Sequence, residues 1–415
     1  MRVMKDSGVP WVGEIPKNWR ILRGKNILIL LERPVKEDDG VITCFRDGEV
    51  TLRSNRREEG FTFSLQEIGY QGIEPGDLVV HGMDGFAGSI GISDSRGKAT
   101  PVLNVMDSSE SKKYLMYQLR TMAHCGLFFA LSSGIRVRSC DTNWNKLKTI
   151  FYLVPPKEEQ IRIVSFIDAK CAEIDSILEN TQASIEDYKK LKQSVITEAV
   201  TKGIRGDRPM KDSGIEWIGM IPETWGLTRH KYVMHKKKDI CEHYSGQDII
   251  SLSMNGVIVR DLDAGGKMPT SFDGYQYVEP GTLLLCLFDI DVTPRCVGLV
   301  KNYGVTSPAY SKFIIHDGYA ATYYDYLLRY IDDNKYFVHL AKNLRSSLTE
   351  TDFGALPTIV PPLDEQQEIA AYLDEKCAAI DSLIASKEAL ITELEAYKKS
   401  MIYEYVTGKK EVPAV

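Results

Sequence analysis

The sequence predicts an α+β fold, with two similar mixed α/β domains that are each followed by one long helix of a coiled coil. Two segments of the chain recur at an offset of 206 residues, which indicates a duplicated half-chain. The residues between the repeated segments scarcely match, which indicates two domains of one fold with different surfaces. The second repeated segment has a sustained 3.5-residue period, which is typical of helices that pair along their length.

Each half opens with a segment rich in glycine, proline and tryptophan. The first, MKDSGVPWVGEIPKNW (Met4–Trp19), returns as MKDSGIEWIGMIPETW (Met210–Trp225). The glycines and prolines predict turns, and the indoles predict anchors that pack against the rest of the half-chain. The alternative, in which tryptophans stack on nucleic-acid bases, stays open at this point; the side chains concerned are Trp11, Trp19, Trp217 and Trp225.

The divergent residues share a frame in spite of their different sequences. The pattern YQ-x2-EPG-x-L occurs at 70–78 and again at 275–283, and it predicts a turn that leads into a buried strand. Further strands are predicted at 100–105 and 307–315, and each is followed by a short helix, SKKYLMYQLRTM or ATYYDYLLRYID. We place the domains at 1–153 and 207–358, and the long helices at 154–206 and 359–415.

The long helices begin with a second repeated motif. VPPKEEQ at 154–160 returns as VPPLDEQ at 360–366, and no proline or glycine follows until Gly203 or Gly408. A helix of about 45 residues is about 68 Å long, which is too long to bury against one small domain. We therefore expect a paired-helix spacer; the competing interpretation is two amphipathic helices that each pack on a globular core.

Apolar residues follow alternating steps of four and three along both helices and define one seam. Its polar interruptions match between the helices, because Thr181 corresponds to Lys387 and Lys192 to Lys398. Polar seam residues fix register and partner while they lower stability. The predicted apolar seam consists of Ile167, Cys171, Ile174, Leu178, Ile185, Tyr188, Val195, Leu373, Cys377, Ile380, Ile384, Ile391, Leu394 and Met401.

The charge distribution leaves DNA binding open. The net charge is −6, but the two helices (156–203 and 362–410) hold 13 basic and 19 acidic side chains, and the rest holds 38 of each. A nucleic-acid binder needs a positive face rather than a positive total. The candidate DNA contacts lie in basic clusters. For each of these residues, the alternative is that the side chain lies on a solvated loop without a DNA contact. The candidates are Arg53, Arg56, Arg57, Arg96, Lys98, Arg136, Arg138, Lys146, Lys236, Lys237, Lys238, Arg260, Arg295 and Arg345.

Motifs for catalysis are missing from the sequence. The glycine-rich residues 82–98 match neither GxGxxG nor a Walker motif, and there is no (N/D)PP(Y/F) tetrapeptide. The eight cysteines and seven histidines show no CxxC, HxH or HxxxH spacing, so no metal site is predicted. No apolar run reaches membrane-spanning length and the start lacks a signal-peptide core, so we expect a cytoplasmic protein. Because the catalytic motifs are missing, we also expect no catalytic residues in this chain.

Taken together, these features resemble the specificity subunit of type I restriction–modification systems. The resemblance covers essentially the full length, and its most specific parts are the paired DSG-x2-W-(V/I)-G-x-IP-x2-W segments and the paired VPP-x2-EQ…D-x-KC-x2-IDS helices. It implies two target recognition domains, each of which reads one half of a bipartite DNA site. It also implies that the two helices are antiparallel, set the spacing of the half-sites and dock the modification subunits.

The resemblance implies partners and cofactors as well. The partners would be double-stranded DNA, two modification subunits that methylate adenine at N6 and, in complexes that also cut DNA, two restriction subunits. S-adenosylmethionine, ATP and Mg²⁺ would be bound by those partners, and none by this chain, which would not be catalytic alone. The alternatives are a coiled-coil scaffold and a self-contained methyltransferase with a fused specificity region, against which the missing catalytic motifs argue.

Overall fold

The computed structural model describes residues 2–56, 67–131, 142–254, 256–263, 269–293, 295–341 and 347–413. The chain divides into two compact units. The first unit is Met1–Gln182 with Glu388–Val415, and the second unit is Ala183–Lys387. Each unit therefore combines one α/β domain with a part of both long helices, and the predicted α+β class with two long helices is confirmed.

The first half contains twelve strands and three short helices among its described residues, and then the first long helix. Three single 3₁₀ turns lie at Gly24–Asn26, Arg53–Asn55 and Gly85–Ala87. The elements are β1 (Met4–Asp6), β2 (Glu14–Pro16), β3 (Arg20–Arg23), β4 (Leu28–Leu30), β5 (Ile42–Cys44), β6 (Val50–Leu52), β7 (Gln71–Ile73), β8 (Leu78–His81), β9 (Ile90–Ile92), β10 (Gly97–Ala99), β11 (Leu103–Ser108), α1 (Lys112–His124), α2 (Leu127–Ala130), α3 (Trp144–Leu147), β12 (Phe151–Val154) and α4 (Lys157–Lys202).

The second half repeats this order with small differences. Its described elements are β13 (Met210–Asp212), β14 (Met220–Pro222), β15 (Gly226–Arg229), α5 (His230–Val233), β16 (Met234–Lys236), β17 (Ile249–Ser253), β18 (Gly256–Val259), β19 (Gln276–Val278), β20 (Leu283–Leu285), β21 (Val297–Leu299), β22 (Gly304–Thr306), β23 (Ser311–Ile315), α6 (Ala321–Asp333), α7 (Tyr336–Leu340), α8 (Glu350–Ala355), β24 (Pro357–Val360) and α9 (Leu363–Val406).

Both domains contain the same four-stranded antiparallel sheet. Its order is β4-β11-β8-β9 in the first unit and β16-β23-β20-β21 in the second. The strand predicted after each EPG turn is present, since Gly76 and Gly281 have φ of +86° and +88° and lead into β8 and β20. All of β20 and all of β8 except His81 are buried, as expected for a strand at the centre of a core.

The second layer of strands differs between the domains. In the first unit it consists of two antiparallel pairs, β5 with β6 and β7 with β10, which a single parallel bridge between Val41 and Lys98 joins. In the second unit it is one four-stranded sheet of order β18-β17-β22-β19, in which β17 and β22 are parallel. The divergent sequences therefore keep one strand order, with β6-β5-β10-β7 matching β18-β17-β22-β19, and differ in the extent of the parallel pairing at the centre of this layer.

A two-stranded connection joins the opening segment of each half to its long helix. β3 pairs with β12 in the first unit, with Arg20 opposite Val154, and β15 pairs with β24 in the second, with Gly226 opposite Val360. The Pro-Pro pair follows at once, and the long helix begins at Lys157 or Leu363. The two repeated motifs, which are far apart in sequence, thus lie next to each other.

The long helices run antiparallel within each unit. In the first unit the rings of Phe166 and Tyr405 lie 4.5 Å apart, and Asp175 pairs with Lys398 further along. In the second unit Lys192 pairs with Asp381 at 2.6 Å. Residue numbers therefore rise along α4 as they fall along α9. In the described part of the chain, no helix combines the length and apolar character that a membrane span requires.

Candidate nucleic-acid interface and its anchors

The opening segment of each half is fixed to its long helix by a buried tryptophan. Nε1 of Trp19 donates to Oε2 of Glu159 at 3.1 Å, and Nε1 of Trp225 donates to Oε2 of Glu365 at 3.0 Å. Both indoles are buried, with 1% and 0% exposed. The predicted packing role is confirmed for these two side chains, and their burial leaves no face on which a base could stack.

An arginine completes each of these anchors. Arg2 pairs with Glu159 and its guanidinium lies 5.6 Å from the Trp19 ring centre. Arg208 pairs with Glu365 and lies 5.4 Å from the Trp225 ring centre. One carboxylate therefore accepts from an indole and a guanidinium at the same time, which offsets the unfavourable burial of its charge.

The glutamine that follows each glutamate attaches the short helix of the domain. Oε1 of Gln160 accepts from the backbone N–H of Ser111 at 2.9 Å, and Oε1 of Gln366 accepts from that of Ala320 at 2.8 Å. Ser111 and Ala320 are the N-cap residues of α1 and α6, whose first N–H groups lack partners within the helix. The EQ dipeptide thus links the opening segment, the short helix and the long helix.

Tyrosines on the short helices make a further pair of equivalent contacts. The hydroxyl of Tyr117 donates to Asp168 at 2.6 Å, and that of Tyr326 donates to Asp374 at 2.8 Å. Burial first, and then the adjacent carboxylate, raise the pKa of both phenols, so they remain donors at neutral pH.

A second tyrosine of each short helix reaches the end of a long helix. Tyr114 donates to the carbonyl of Val406 at 2.9 Å, and Tyr323 to that of Val200 at 3.0 Å. These carbonyls belong to the last helical turn, which has no intrahelical donors. The sequence reasoning missed these anchors, although a signal exists: Y-x2-Y-x-LR recurs in α1 and α6 at an offset of 209.

The predicted DNA-contacting cations of the first half that the structure describes form ion pairs or hydrogen bonds within their own domain. Arg56 pairs with Asp47 at 2.6 Å and its guanidinium lies 4.2 Å from the Phe45 ring centre. Nε of Arg53 donates to Thr43 at 3.3 Å.

Three more cations complete the described set of the first half: Arg96 directly before β10, Lys98 within β10 and Lys146 within α3. Arg96 pairs with Asp39 at 2.8 Å and holds the pKa of that carboxyl at about 2. Lys98 pairs with Glu67 at 2.7 Å. Lys146, in α3, donates to the carbonyl of Leu131.

The second half presents its cations more openly. Lys236 pairs with Glu350 at 3.3 Å, whereas Lys237 and Lys238 are exposed and form no ion pair among the residues that the structure describes. Nε of Arg295 donates to the carbonyl of Met254 at 2.9 Å, and Arg260 directly follows β18.

Four of the predicted contacts, Arg57, Arg136, Arg138 and Arg345, lie outside the described residues. The DNA contacts of the other ten stay a prediction.

The predicted seam positions are all buried or half-buried along both helices. Ile167 and Leu373 are 0% exposed. One pair of polar interruptions makes equivalent contacts, because Lys192 pairs with Asp381 in the second unit and Lys398 with Asp175 in the first. Each lysine is 206 residues from the other, and so is each aspartate. The other pair of interruptions does not make equivalent contacts: Thr181 donates to the carbonyl of Ile177 in its own helix, and Lys387 lies over the ring of Tyr188. Among the described residues, no three His, Cys, Asp or Glu side chains are grouped closely enough to hold a metal ion.

Comparisons with known proteins agree with this arrangement. No protein-family profile matches the chain. A curated relative from Methanocaldococcus jannaschii, named as the type I restriction enzyme MjaX specificity subunit, is 22% identical over 440 residues, which cover 97% of this chain and 96% of the relative.

Solved structures give the same result for the fold. A chain from a study of complex assembly and conformational transition of the type I R-M system superposes with a TM-score of 0.72 at 14% identity, over 95% of this chain and 99% of that chain. The HsdS subunit from Thermoanaerobacter tengcongensis superposes with a TM-score of 0.53 at 17% identity, over 95% and 98%. The resemblance to type I restriction–modification specificity subunits that the duplicated motifs predict is therefore confirmed over nearly the whole chain.

Proposed function

We propose that this chain is the DNA sequence-specificity subunit of a type I restriction–modification complex, with one half of a bipartite site read by each α/β domain. The observation that carries this proposal is the combination of identical anchors and divergent residues in the second layers. Both domains attach to the long helices through the same tryptophan, glutamate, glutamine and tyrosine contacts. Two domains that are held in one way and differ in the residues they expose fit two targets of one kind with different sequences.

The long helices are proposed to set the distance between the half-sites. Rigid spacing between two reading elements determines half-site separation geometrically, as in other bipartite DNA-binding proteins. The reciprocal pairs Lys192–Asp381 and Lys398–Asp175 support this role because they hold one register of the helix pair.

The long helices are also proposed to dock the modification subunits. Exposed apolar residues recur beside the seam at multiples of seven: Ile177, Leu390 and Tyr397 in the first unit, and Leu191 and Leu383 in the second. Between 41% and 59% of each side chain is exposed. Exposed apolar rows with a polar rim mark protein–protein contacts, and a seven-residue repeat fits a partner helix.

Catalysis is assigned to the partners. S-adenosylmethionine would be bound by the modification subunits and, where restriction subunits are present, ATP and Mg²⁺ by those. This chain would supply recognition of the DNA sequence, the spacing between the half-sites and the docking surface for the modification subunits. Duplicated docking surfaces on one chain fit two copies of one modification subunit.

The first test is co-purification with the modification subunit, followed by mapping of N6-methyladenine in the host with and without this chain. We expect a stable complex and the loss of one split methylation motif when the chain is removed. A complex without any change in methylation would favour the coiled-coil scaffold. Methylation by the chain alone would favour the self-contained methyltransferase.

The docking surface has a test of its own. Ile177→Glu together with Leu383→Glu places a charge at equivalent positions of both units, and we expect modification-subunit binding to weaken at least about tenfold. The matched control is Lys190→Glu, which also adds negative charge at an exposed helix position but removes no apolar contact. Equal weakening by both variants would contradict the assignment of the apolar rows.

A further inference from the structure

The repeated Y-x2-Y-x-LR motif ends in an arginine that none of the anchors above uses. Arg120 in α1 and Arg329 in α6 are 209 residues apart, as are the tyrosines that attach these helices to α4 and α9. The two arginines therefore extend from a fixed helix at equivalent places in both domains.

In the first domain, Arg120 lies against the turn of the β5–β6 hairpin. The turn is closed by the bond from the N–H of Phe45 to the carbonyl of Glu49, at 2.8 Å. Gly48 has a φ of +95°, and a Cβ atom built on it would lie 1.8 Å from Nη1 of Arg120. The guanidinium thus occupies the space that a side chain at position 48 would need.

In the second domain, Arg329 lies beside the turn of the β17–β18 hairpin. Gly256 has a φ of +94°, and a Cβ atom built on it would lie 3.6 Å from Nη2 of Arg329. A second arginine reaches the same turn, because Nε of Arg295 donates to the carbonyl of Met254 at 2.9 Å. The arginine of the equivalent helix position therefore contacts the first hairpin turn and lies beside the second, to which Arg295 makes the direct hydrogen bond.

The charge environment of the two arginines differs. Arg329 pairs at 2.7 Å with the buried Asp325, whose equivalent in the first half is Met116. Arg120 has no ion pair among the residues that the structure describes, and burial lowers the pKa of its guanidinium. Arg120 also lines a cavity of about 610 Å³ together with the hairpin turn, Asp175 and Lys398. The turn of the first hairpin thus packs against Arg120. The turn of the second accepts a hydrogen bond from Arg295 and lies beside Arg329, which is itself paired with the buried Asp325.

The hairpins themselves present different chemistry to solvent. The first carries charged side chains: Arg46, 65% exposed and paired with Asp84, and the exposed Asp47 and Glu49, which both pair with Arg56 beyond β6. The second carries Met254, which is 71% exposed, and the half-exposed Ile258 and Val259, followed by Arg260. Arginines suit phosphates and guanine edges, carboxylates suit the cytosine amino group, and apolar side chains suit thymine methyl groups. One kind of support thus presents two hairpins with different contact chemistry.

We propose that Arg120 and Arg329 are positioning residues that hold these two hairpins in the orientation in which they read DNA. Each arginine then sets the selectivity of the half-site read by its own domain. The inference rests on the proposed function, because it takes duplex DNA as the ligand.

The test uses Arg120→Met and Arg329→Met in the complex with the modification subunit, with N6-methyladenine mapping as the readout. We expect Arg120→Met to reduce discrimination at one half-site by roughly tenfold or more, about the effect of one mismatched base pair, and to leave the other half-site unchanged. Arg329→Met should act on the opposite half-site. Amide hydrogen exchange should rise in residues 42–52 of Arg120→Met while α4 keeps its protection.

Two glycine substitutions provide a matched pair. Gly48→Ala and Gly256→Ala share the strain of a positive φ, but only the first displaces its arginine, because the distances are 1.8 Å and 3.6 Å. The Cβ of Gly48→Ala also lies 2.9 Å from the carbonyl oxygen of Ile90, so Arg120→Met, which keeps Gly48, separates loss of the arginine from this second clash. Gly48→Ala should reproduce Arg120→Met, and Gly256→Ala should keep selectivity within about twofold. Equal loss at both half-sites, or an unchanged motif in all variants, would overturn the inference while the proposed function stands. A wild-type complex without a split motif would overturn both.

Discussion

The two halves of the chain differ least where they touch the long helices and most in the second layer of strands. The buried anchors repeat residue for residue: Trp19 with Glu159 and Trp225 with Glu365 have hydrogen bonds within 0.1 Å of each other, at 3.1 Å and 3.0 Å. The second layers share one strand order, but their central parallel pairing is a single bridge, Val41 with Lys98, in one domain and a two-residue ladder between β17 and β22 in the other. The duplicated residues therefore keep the same contacts between each domain and the long helices, and the divergent residues change the surface that each domain exposes.

The largest expected effect concerns the shared helices. Deleting residues 179–185 and 385–391 removes one heptad from each helix and keeps Lys398–Asp175 in the first unit and Lys192–Asp381 in the second. The helix pair shortens by about 10 Å, so the preferred gap between half-sites should shorten by about 3 base pairs. Methylation at the original gap should be lost, and mapping of N6-methyladenine measures this. An unchanged gap would contradict a spacing role.

The anchors should differ in strength although their residues are the same. The Glu365 side chain is 1% exposed beside Arg208 at 17%, whereas Glu159 is 10% exposed beside Arg2 at 20%. Glu365→Ala leaves the half-buried Arg208 with the carbonyl of Lys202 as its remaining acceptor and leaves the buried Trp225 N–H without one, so we expect a loss of about 3 kcal/mol in unfolding free energy. Glu159→Ala should lose less. Urea unfolding measures both, and a larger loss for Glu159→Ala would contradict the burial argument.

The folding stability of the second half should depend on pH through one buried histidine that the first half lacks. His230 is buried, its ring nitrogens have no hydrogen-bond partner among the residues that the structure describes, and the equivalent residue of the first half is Gly24. Burial lowers the pKa of His230 to about 3, whereas an unfolded histidine has a pKa of about 6.5. The unfolded state therefore binds a proton first, and stability that is complete above about pH 6.5 is lost as the pH falls towards 3.

His230→Leu should remove this contribution. We expect the unfolding free energy of the wild type to fall by about 2 kcal/mol more than that of the variant between pH 7 and pH 5, measured by urea unfolding. His339→Leu, at an exposed position of the same unit, is the control and should keep the wild-type pH dependence. Parallel pH profiles for wild type and His230→Leu would exclude the proposed acid sensitivity.

The smallest expected effect concerns the reciprocal ion pairs of the helices. The aspartates are 57% and 56% exposed, so Lys192→Met and Lys398→Met should each lower stability by only about 0.5 kcal/mol. Both effects should shrink at high salt because exposed charges are screened. Thermal unfolding at low and high salt measures this, and a salt-independent effect in one unit would show that its lysine acts through packing.

The sequence alone determined the duplication, the class of fold and the presence of two long helices. The helices lie within the predicted segments 154–206 and 359–415, at Lys157–Lys202 and Leu363–Val406, and the second ends nine residues before the predicted limit. These features are local: a 3.5-residue period, a Pro-Pro pair and a following glycine are read from neighbouring residues. The turn and strand after each EPG are local in the same sense, and both are present.

Only the tertiary structure decided which residues meet. Arg2 contacts Glu159, and Tyr114 contacts Val406, which is 292 positions away in sequence. The predicted cation Arg96 is held by Asp39, which no spacing rule connects to it. Hydrogen bonds and ion pairs depend on distances of about 3 Å between side chains, and the chain sets these distances only when its sheets and helices have packed.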